Sequence, residues 1–141
     1  MKKMVLVMLV CCCPLFAQDA ITVKAIEGAK LLHSAARDPD SFKIGRAWIM
    51  RSEKYGDAIC YDYYARNGFG GMNHSGADYA PHTKKDVVNG KYILDAEADQ
   101  SFEFASRCGE RAIKHDAFLK DVTKEVKQAL TAAADNGDPK P

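Results

Sequence analysis

The run Ala58-Ile-Cys-Tyr-Asp-Tyr-Tyr-Ala-Arg-Asn-Gly-Phe-Gly-Gly71 decides the fold, because a strand-like segment ends within it at a sharp turn. Tyrosine, isoleucine and cysteine fit the pleated, half-buried surface of a strand. Alternation along 58–66 predicts two faces, one with Ile59, Tyr61 and Tyr63 and the other with Cys60, Asp62 and Tyr64. Asn67-Gly68 is a strong turn signal, since both residues tolerate positive φ, and Gly70-Gly71 adds backbone freedom.

The glycines of this run admit two interpretations. Either the bare backbone of the loop approaches a ligand, or a hairpin turn needs glycine for its geometry, and the second interpretation is favoured. A phosphate-binding loop is disfavoured, because that motif needs a Lys-Ser/Thr pair leading into a helix, and Met72-Asn-His74 follows instead.

Residues 1–17 have the pattern of a cleaved secretory signal peptide. Two lysines precede an uncharged run of 13 residues, Met4 to Phe16, and Ala17 stands before polar sequence. This run is shorter than the roughly 20 residues that span a bilayer. Lipid attachment at Cys11–Cys13 is a disfavoured alternative, because Val10 stands where a small residue is expected. We expect one domain at 18–135, a flexible tail at 136–141, and a periplasmic or secreted location.

Charge and cysteine usage restrict the function further. The chain has 20 basic and 19 acidic residues, so nothing indicates binding to nucleic acid or to an anionic membrane surface. No segment after the leader could span a bilayer.

Only Cys60 and Cys108 follow the leader, and an even pair in an exported protein predicts a disulfide. A redox pair would favour Cys-x-x-Cys spacing, which is absent here.

The hydrophobic pattern predicts an α+β fold, with N- and C-terminal helices packed on an antiparallel sheet of three to four strands. Asp19 or Thr22 caps a first helix that runs to about Ala36. The expected strands are Phe42–Met50, Ala58–Arg66 and a final strand Ser101–Cys108, with Ala77–Ala80 and Lys91–Asp95 as weaker candidates and turns at Pro81–Gly90 and Ala96–Gln100. In the first strand Phe42, Ile44, Trp48 and Met50 should share one face. A second helix is expected from Asp116 to about Ala134.

Three fragments together resemble a group of short exported bacterial proteins that have no accepted activity. They are Arg37-Asp-Pro-Asp-Ser41 before a strand, Cys60 within the next strand, and Ala65-Arg-Asn-Gly-Phe-Gly-Gly71, with Cys108 as a late partner. The resemblance covers about residues 30–75 and implies a secreted or periplasmic small α+β domain. The chain departs from the group's pattern at Tyr61, Asp62 and Met72, where glycine, glutamate and an aromatic residue, respectively, are usual.

Catalytic chemistry is weakly indicated. His74, Asp78 and His82 could supply three zinc ligands, but no helical His spacing supports a site, and an exposed loop with scattered histidines is favoured. No Gly-x-Ser-x-Gly elbow occurs. A small metal-dependent enzyme or hydrolase that uses these three residues is the alternative hypothesis.

The leading hypothesis is a non-catalytic binding or structural module of the bacterial envelope that needs no cofactor. Tyrosines beside a glycine-rich loop suggest an aromatic platform, although some of these rings should be core. The candidate ligand-binding residues are Asn67, Phe69, Gly70, Gly71, Tyr61 and Tyr63. The expected partner is an envelope protein, a peptide or a glycan.

Overall fold

The computed structural model describes residues 18–52, 56–109 and 117–136. The predicted signal peptide with Cys11–Cys13, the start expected for the second helix at Asp116, and residues 137–141 of the predicted tail lie outside these ranges. The helices are α1 (Ala20–Ala35), α2 (Lys84–Asn89), α3 (Phe102–Cys108) and α4 (Thr123–Asp135). The strands are β1 (Lys43–Ser52), β2 (Gly56–Arg66), β3 (Met72–Ala80), β4 (Ile93–Asp95) and β5 (Phe118–Asp121). Single 3-10 turns occur at Pro39–Ser41 and Ala98–Gln100.

The predicted α+β class is confirmed, but the prediction of three to four strands is wrong. The sheet that the described residues form has five strands in the order β4-β3-β2-β1-β5, all antiparallel to their neighbours. The fifth strand comes from Phe118–Asp121, which the sequence pattern placed in the last helix. A helical period fits Phe118, Leu119, Val122 and Val126. The first two nevertheless belong to β5, which pairs with β1, and α4 begins only at Thr123.

The two terminal helices pack on the sheet, as predicted, and both cover the same face. Asp19 caps α1 by accepting a hydrogen bond from the Thr22 backbone N–H at 2.9 Å. The core between α1, α4 and this face is formed by Ala25, Ala29, Leu32, Ile44, Ile49, Ile59, Tyr61, Tyr79, Val122 and Val126, among others. Gly28 permits the close approach of α1, because an added Cβ would lie 2.4 Å from the Tyr61 hydroxyl oxygen.

The opposite face of the sheet is covered in part by α3. Trp48, Met50, Cys60 and Cys108 form a second buried cluster there. The predicted strand Ser101–Cys108 is wrong, because Ser101 instead caps a helix by accepting the Phe104 backbone N–H at 3.0 Å. Gly76 of β3 lets this helix approach, since an added Cβ would lie 2.7 Å from Cζ of Phe104. Phe102, which alternation had placed in the strand, is 88% exposed.

The predicted disulfide is confirmed. Cys60 and Cys108 are bridged with their Cα atoms 5.8 Å apart, and the bridge joins β2 to α3 rather than to a last strand.

The prediction that Phe42, Ile44, Trp48 and Met50 share one face is wrong. A register shift between Ile44 and Arg46 inserts Gly45 into β1, so Trp48 and Met50 face the α3 side.

The segment between the hairpin and the second cysteine is more regular than predicted. β3 begins at Met72 rather than Ala77 and runs for nine residues. The expected turn Pro81–Gly90 contains α2, which a capping box between Thr83 and Asp86 starts. Among the helices that the structure describes, none combines the length and the apolar character that a membrane span requires.

Candidate functional site

The connection between β2 and β3 is a turn built by Asn67. The Asn67 side-chain oxygen accepts hydrogen bonds from the backbone N–H groups of Phe69 and Gly71, each at 3.0 Å. The Asn67 backbone N–H donates to the Gly71 carbonyl at 2.8 Å, and Gly70 takes a positive φ of 85°. The Asn67 amide group also donates to the Asn73 side chain at 3.1 Å. The predicted Asn-Gly turn is therefore held by side-chain bonds as well as by glycine geometry.

Phe69 lies at the tip of this turn and is 99% exposed. Met72, at the first position of β3, is 51% exposed. We call residues 66–73, which contain both side chains, the hairpin end. Since its backbone is fixed by Asn67, the hairpin end presents an apolar ring to solvent on an ordered support.

A cleft of about 380 Å³ lies beside the hairpin end. Its walls come from the end of α1, the facing parts of β2 and β3, and the connection from β4 to α3. The lining includes Arg37, Arg66, Asn67, Gly68 and Glu97. The volume falls within the range of pockets that bind small ligands. The loop that the sequence singled out therefore forms one wall of a concave surface.

The Asp-Pro-Asp-Ser turn after α1 is fastened to the hairpin end. The Ser41 hydroxyl accepts a hydrogen bond from the Arg66 backbone N–H at 2.8 Å and donates to the Asp38 carbonyl at 2.8 Å. Arg37 packs over Gly68, because a Cβ added to this glycine would lie 3.0 Å from an Arg37 guanidinium nitrogen. These contacts bring Arg37 and Arg66, which are 29 positions apart in sequence, to the same cleft.

The lining of the cleft is polar. Its charged lining residues are Arg37, Arg66 and Glu97, and the side chain of Arg66 starts on the face of β2 opposite to Tyr63 and Ala65. No residue within the described ranges forms an ion pair with either guanidinium group. The Tyr63 hydroxyl, at the base, donates to the Ala96 carbonyl at 2.8 Å, and burial raises the pKa of this phenol. The lining therefore carries charges of both signs.

The two tyrosines predicted at the ligand surface have mainly packing roles. Tyr61 is fully buried, and its hydroxyl donates to the Ala25 carbonyl of α1 at 2.6 Å. Burial raises the pKa of Tyr61 far above its usual value. Tyr63 is half-buried and stacks on Phe42 while one side lines the cleft. Of the predicted ligand-binding residues, Asn67, Phe69, Gly70 and Gly71 lie together at the hairpin end.

The three residues expected to bind a metal are not brought together. His74 contacts the Asp62 carboxylate and stacks on Tyr64 with ring centroids 4.7 Å apart. Four residues along a strand span about 13 Å, so His74 is distant from Asp78. Oδ1 of Asp78 instead lies 3.4 Å from Nε2 of His82. In the ranges 18–52, 56–109 and 117–136, no group of three His, Cys, Asp or Glu residues is arranged to hold a metal ion.

Asp78 belongs to a buried network beneath α3. It is 3% exposed, and Arg107 approaches one of its oxygens at 3.4 Å while also bonding Glu103 at 2.9 Å. Burial raises the pKa of Asp78, and the nearby charges of Arg107 and His82 act in the opposite direction. No pattern in the sequence predicted this network, since Arg107 was expected on a strand. The place of Arg37 in the cleft was not predicted either, although Arg37 begins the turn Arg37–Ser41.

Comparison with known proteins gives no further guide to the site. No protein-family model, no curated protein and no solved structure matches this chain. The relation to short exported bacterial proteins, suggested by Arg37–Ser41 and Ala65–Gly71, stays a prediction. The function is therefore argued from the geometry of the hairpin end and its cleft.

Proposed function

We propose that the protein is a non-catalytic binding module of the bacterial envelope, and that it holds a protein partner at the hairpin end. The observation that carries this proposal is the 99% exposure of Phe69 on a turn that Asn67 fixes through three side-chain hydrogen bonds. A large apolar ring in water at the tip of an ordered hairpin costs solvation free energy that a partner pocket would recover. A convex tip suits insertion into a protein surface.

The expected contribution of Phe69 to binding follows from the apolar area of its side chain. Burying a phenylalanine side chain contributes about 1.5–3 kcal/mol, which corresponds to roughly ten- to hundredfold in affinity. The ordered turn lowers the entropy cost of association, because little of the loop has to be fixed on binding. One anchor with a pre-formed support is the pattern of a binding hot spot.

The envelope location rests on two features. Residues 1–17 have the composition of a secretory leader. The Cys60–Cys108 disulfide supports the same proposal, since such bridges persist in oxidising compartments. No feature of the described residues favours the metal-dependent alternative, because His74 is separated from Asp78 and His82.

The test compares two exposed phenylalanines. Retention of the labelled, oxidised protein on isolated envelopes is measured for wild type, Phe69→Ala and Phe102→Ala. Phe102 is a matched control, because it is 88% exposed but lies on α3, outside residues 66–73. We expect Phe69→Ala to weaken retention at least about tenfold, Phe102→Ala to bind like wild type, and both to melt at the wild-type temperature.

A second arm identifies the kind of partner. Protease treatment of the envelopes should abolish retention, whereas digestion of envelope glycans should not. Equal retention of the two alanine variants, or loss of retention together with a lowered melting temperature in Phe69→Ala, would contradict the proposal. A zinc-induced rise in melting temperature that His82→Ala removes would favour the metal-dependent alternative.

A further inference from the structure

We propose that Asn67 is a site of spontaneous deamidation and isomerisation, and that the folded hairpin end promotes the reaction. The chain contains three Asn-Gly pairs, which are Asn67-Gly68, Asn89-Gly90 and Asn136-Gly137. The last pair reaches beyond the described residues, and the other two differ in the backbone N–H that would react. The chemistry is independent of the proposed function, and only its consequence for envelope retention rests on that function.

The reaction begins at the backbone nitrogen of Gly68. After this nitrogen loses its proton to water or hydroxide, its electron pair attacks Cγ of Asn67, and the C=O electron pair moves to Oδ1. Collapse of this intermediate closes a succinimide ring and expels Nδ2, which leaves as ammonia after taking a proton from water. Water then opens the ring at one of its two carbonyls, giving aspartate or isoaspartate. In total, one amide and one water become one carboxylate and one ammonium ion.

The nucleophile is free and accessible. Gly68 is exposed, and none of the described residues accepts a hydrogen bond from its backbone N–H. As a glycine it has no Cβ that would shield the nitrogen. Gly90, the cap of α2, differs because its N–H donates to the Val87 carbonyl at 3.2 Å. Attack on Asn89 would first have to break this bond, and a lost hydrogen bond costs free energy.

The turn also polarises the group that is attacked. Oδ1 of Asn67, on which negative charge develops, accepts the N–H groups of Phe69 and Gly71 at 3.0 Å each. Two backbone donors aimed at a developing oxyanion stabilise such an intermediate in enzymes. The leaving group, Nδ2, donates to the side chain of Asn73 at an exposed position, from which ammonia can depart.

Arg37 adds a positive charge beside the nucleophile. One of its guanidinium nitrogens lies 3.0 Å from the position that a Cβ added to Gly68 would take. A nearby cation favours the ionised form of an acidic group, which here is the deprotonated Gly68 amide. Within residues 18–52, 56–109 and 117–136 no carboxylate forms an ion pair with Arg37, so this charge is not neutralised there.

The two products should affect the hairpin end differently. Aspartate at position 67 keeps an acceptor oxygen for the Phe69 and Gly71 N–H groups, so the turn should persist. Isoaspartate inserts a methylene group into the main chain and alters the spacing over which the Asn67 N–H bonds the Gly71 carbonyl at 2.8 Å. Phe69 would then lose its fixed support, and retention would decline as the protein ages.

The experiment incubates the oxidised protein at mildly alkaline pH and follows each asparagine by peptide mapping that separates aspartate from isoaspartate. The same protein in guanidinium chloride is the reference for the sequence alone. We expect Asn67 to convert in the folded protein at least as fast as in denaturant, with isoaspartate among the products. Folding should slow the conversion of Asn89 at least about fivefold, the effect of one hydrogen bond.

Three variants separate the contributions. Arg37→Gln, which removes the charge and keeps a similar size, should slow the conversion of Asn67 about two- to fivefold, the range for exposed charge interactions. Arg51→Gln is the matched control, because Arg51 pairs with Asp57 at the end of β2 that is remote from Asn67, and it should leave the rate unchanged. Gly68→Ala should also slow the conversion, because its Cβ shields the nitrogen.

An Asn67 that stays intact in the folded protein but converts in denaturant would overturn the inference. Equal rates at Asn67 and Asn89 in the folded protein would overturn it as well. Conversion to aspartate alone would do the same, since it indicates direct hydrolysis by water without attack by Gly68. Equal rates in the two glutamine variants would refute the role of Arg37.

Retention on isolated envelopes tests the consequence separately. Aged protein with isoaspartate at position 67 should lose retention, whereas Asn67→Asp should keep it. If Phe69→Ala keeps retention, the proposed function fails, while the peptide maps still decide whether Asn67 reacts. If Phe69→Ala loses retention and the isoaspartate form keeps it, the predicted consequence of isomerisation is wrong and the proposed function stands.

Discussion

Replacing Gly28 by alanine should destabilise this protein, although the same change in most helix interiors is stabilising. Gly28 lies in the middle of α1, where alanine is usually favoured by about 1 kcal/mol. Here the added Cβ would lie 2.4 Å from the Tyr61 hydroxyl oxygen and 2.6 Å from Cδ1 of Tyr79. Both rings are held, because Tyr61 bonds the Ala25 carbonyl and Tyr79 bonds Glu27 at 2.7 Å.

The magnitude follows from three opposing contributions. Forcing a methyl group into a packed site costs about 1–3 kcal/mol. Displacing the Tyr61 hydroxyl from its buried hydrogen bond costs about 1 kcal/mol more. The helix preference for alanine offsets about 1 kcal/mol of this. The net expected loss in the free energy of unfolding of Gly28→Ala is therefore about 1–3 kcal/mol.

Equilibrium urea unfolding measures this loss directly. Trp48 is the only tryptophan of the chain and is 7% exposed, so its fluorescence reports global unfolding. The control is a double-mutant cycle with Tyr61→Phe, which removes the nearer of the two colliding atoms. Gly28→Ala should cost less in that background. A stabilising effect of Gly28→Ala, or an equal cost in both backgrounds, would refute the argument that the collision with Tyr61 dominates.

Two further predictions concern covalent and charge interactions. The Cys60–Cys108 bridge joins residues 48 positions apart, and the chain-entropy model assigns such a loop about 4 kcal/mol. Reductant should therefore lower the free energy of unfolding by up to this amount. Asp19 caps α1 and pairs with Lys120 of β5, and the hydrogen bond from Lys120 is the largest cause that lowers the pKa of Asp19 to about 2. The pKa of Asp19 in the folded protein lies below its ordinary value of 3.8. The charged carboxylate therefore stabilises the fold fully above pH 3.8. The stability advantage of wild type over Asp19→Asn is lost as the pH falls through about 2.

Each of these predictions has its own control. A variant with both cysteines replaced by alanine should not respond to reductant, and a wild-type protein whose urea midpoint ignores reductant would contradict the stabilising role of the bridge. Asparagine retains a capping oxygen at position 19, so the comparison isolates the charge. A stability difference between wild type and Asp19→Asn that persists unchanged down to pH 2 would contradict the assigned cause.

Local signals in the sequence were sufficient for the parts of the fold that local interactions determine. The Asp19 cap, the repeat of small and apolar residues in α1 and the Asn67-Gly68 turn are each specified within a few residues. The pairing of Cys60 with Cys108 followed from elimination among the cysteines. The loop at the hairpin end was predicted for the same reason, since Asn67 fixes it through neighbours within six positions.

The errors arose where distant parts of the chain decide the conformation. Gly45 enters β1 as an extra residue and exchanges the faces of Trp48 and Met50, and a period-two pattern does not show such an insertion. Ser101–Cys108 alternates like a strand but becomes a helix, because Ser101 caps it and Gly76 gives Phe104 space. The cleft was missed because its walls come together only after Ser41 joins the turn that follows α1 to β2.

Two successive residues of β2 have a consequence for cooperativity. Cys60 and Tyr61 are both fully buried, and alternation points them to opposite faces of the sheet. Through the disulfide, Cys60 holds α3, and through its hydroxyl, Tyr61 holds α1. Neither layer can separate without exposing one side of this strand, so the two layers share one cooperative unit. The central strand should then be the last segment to exchange its amide hydrogens with solvent, whereas the hairpin end, whose turn bonds are exposed, can open locally without it.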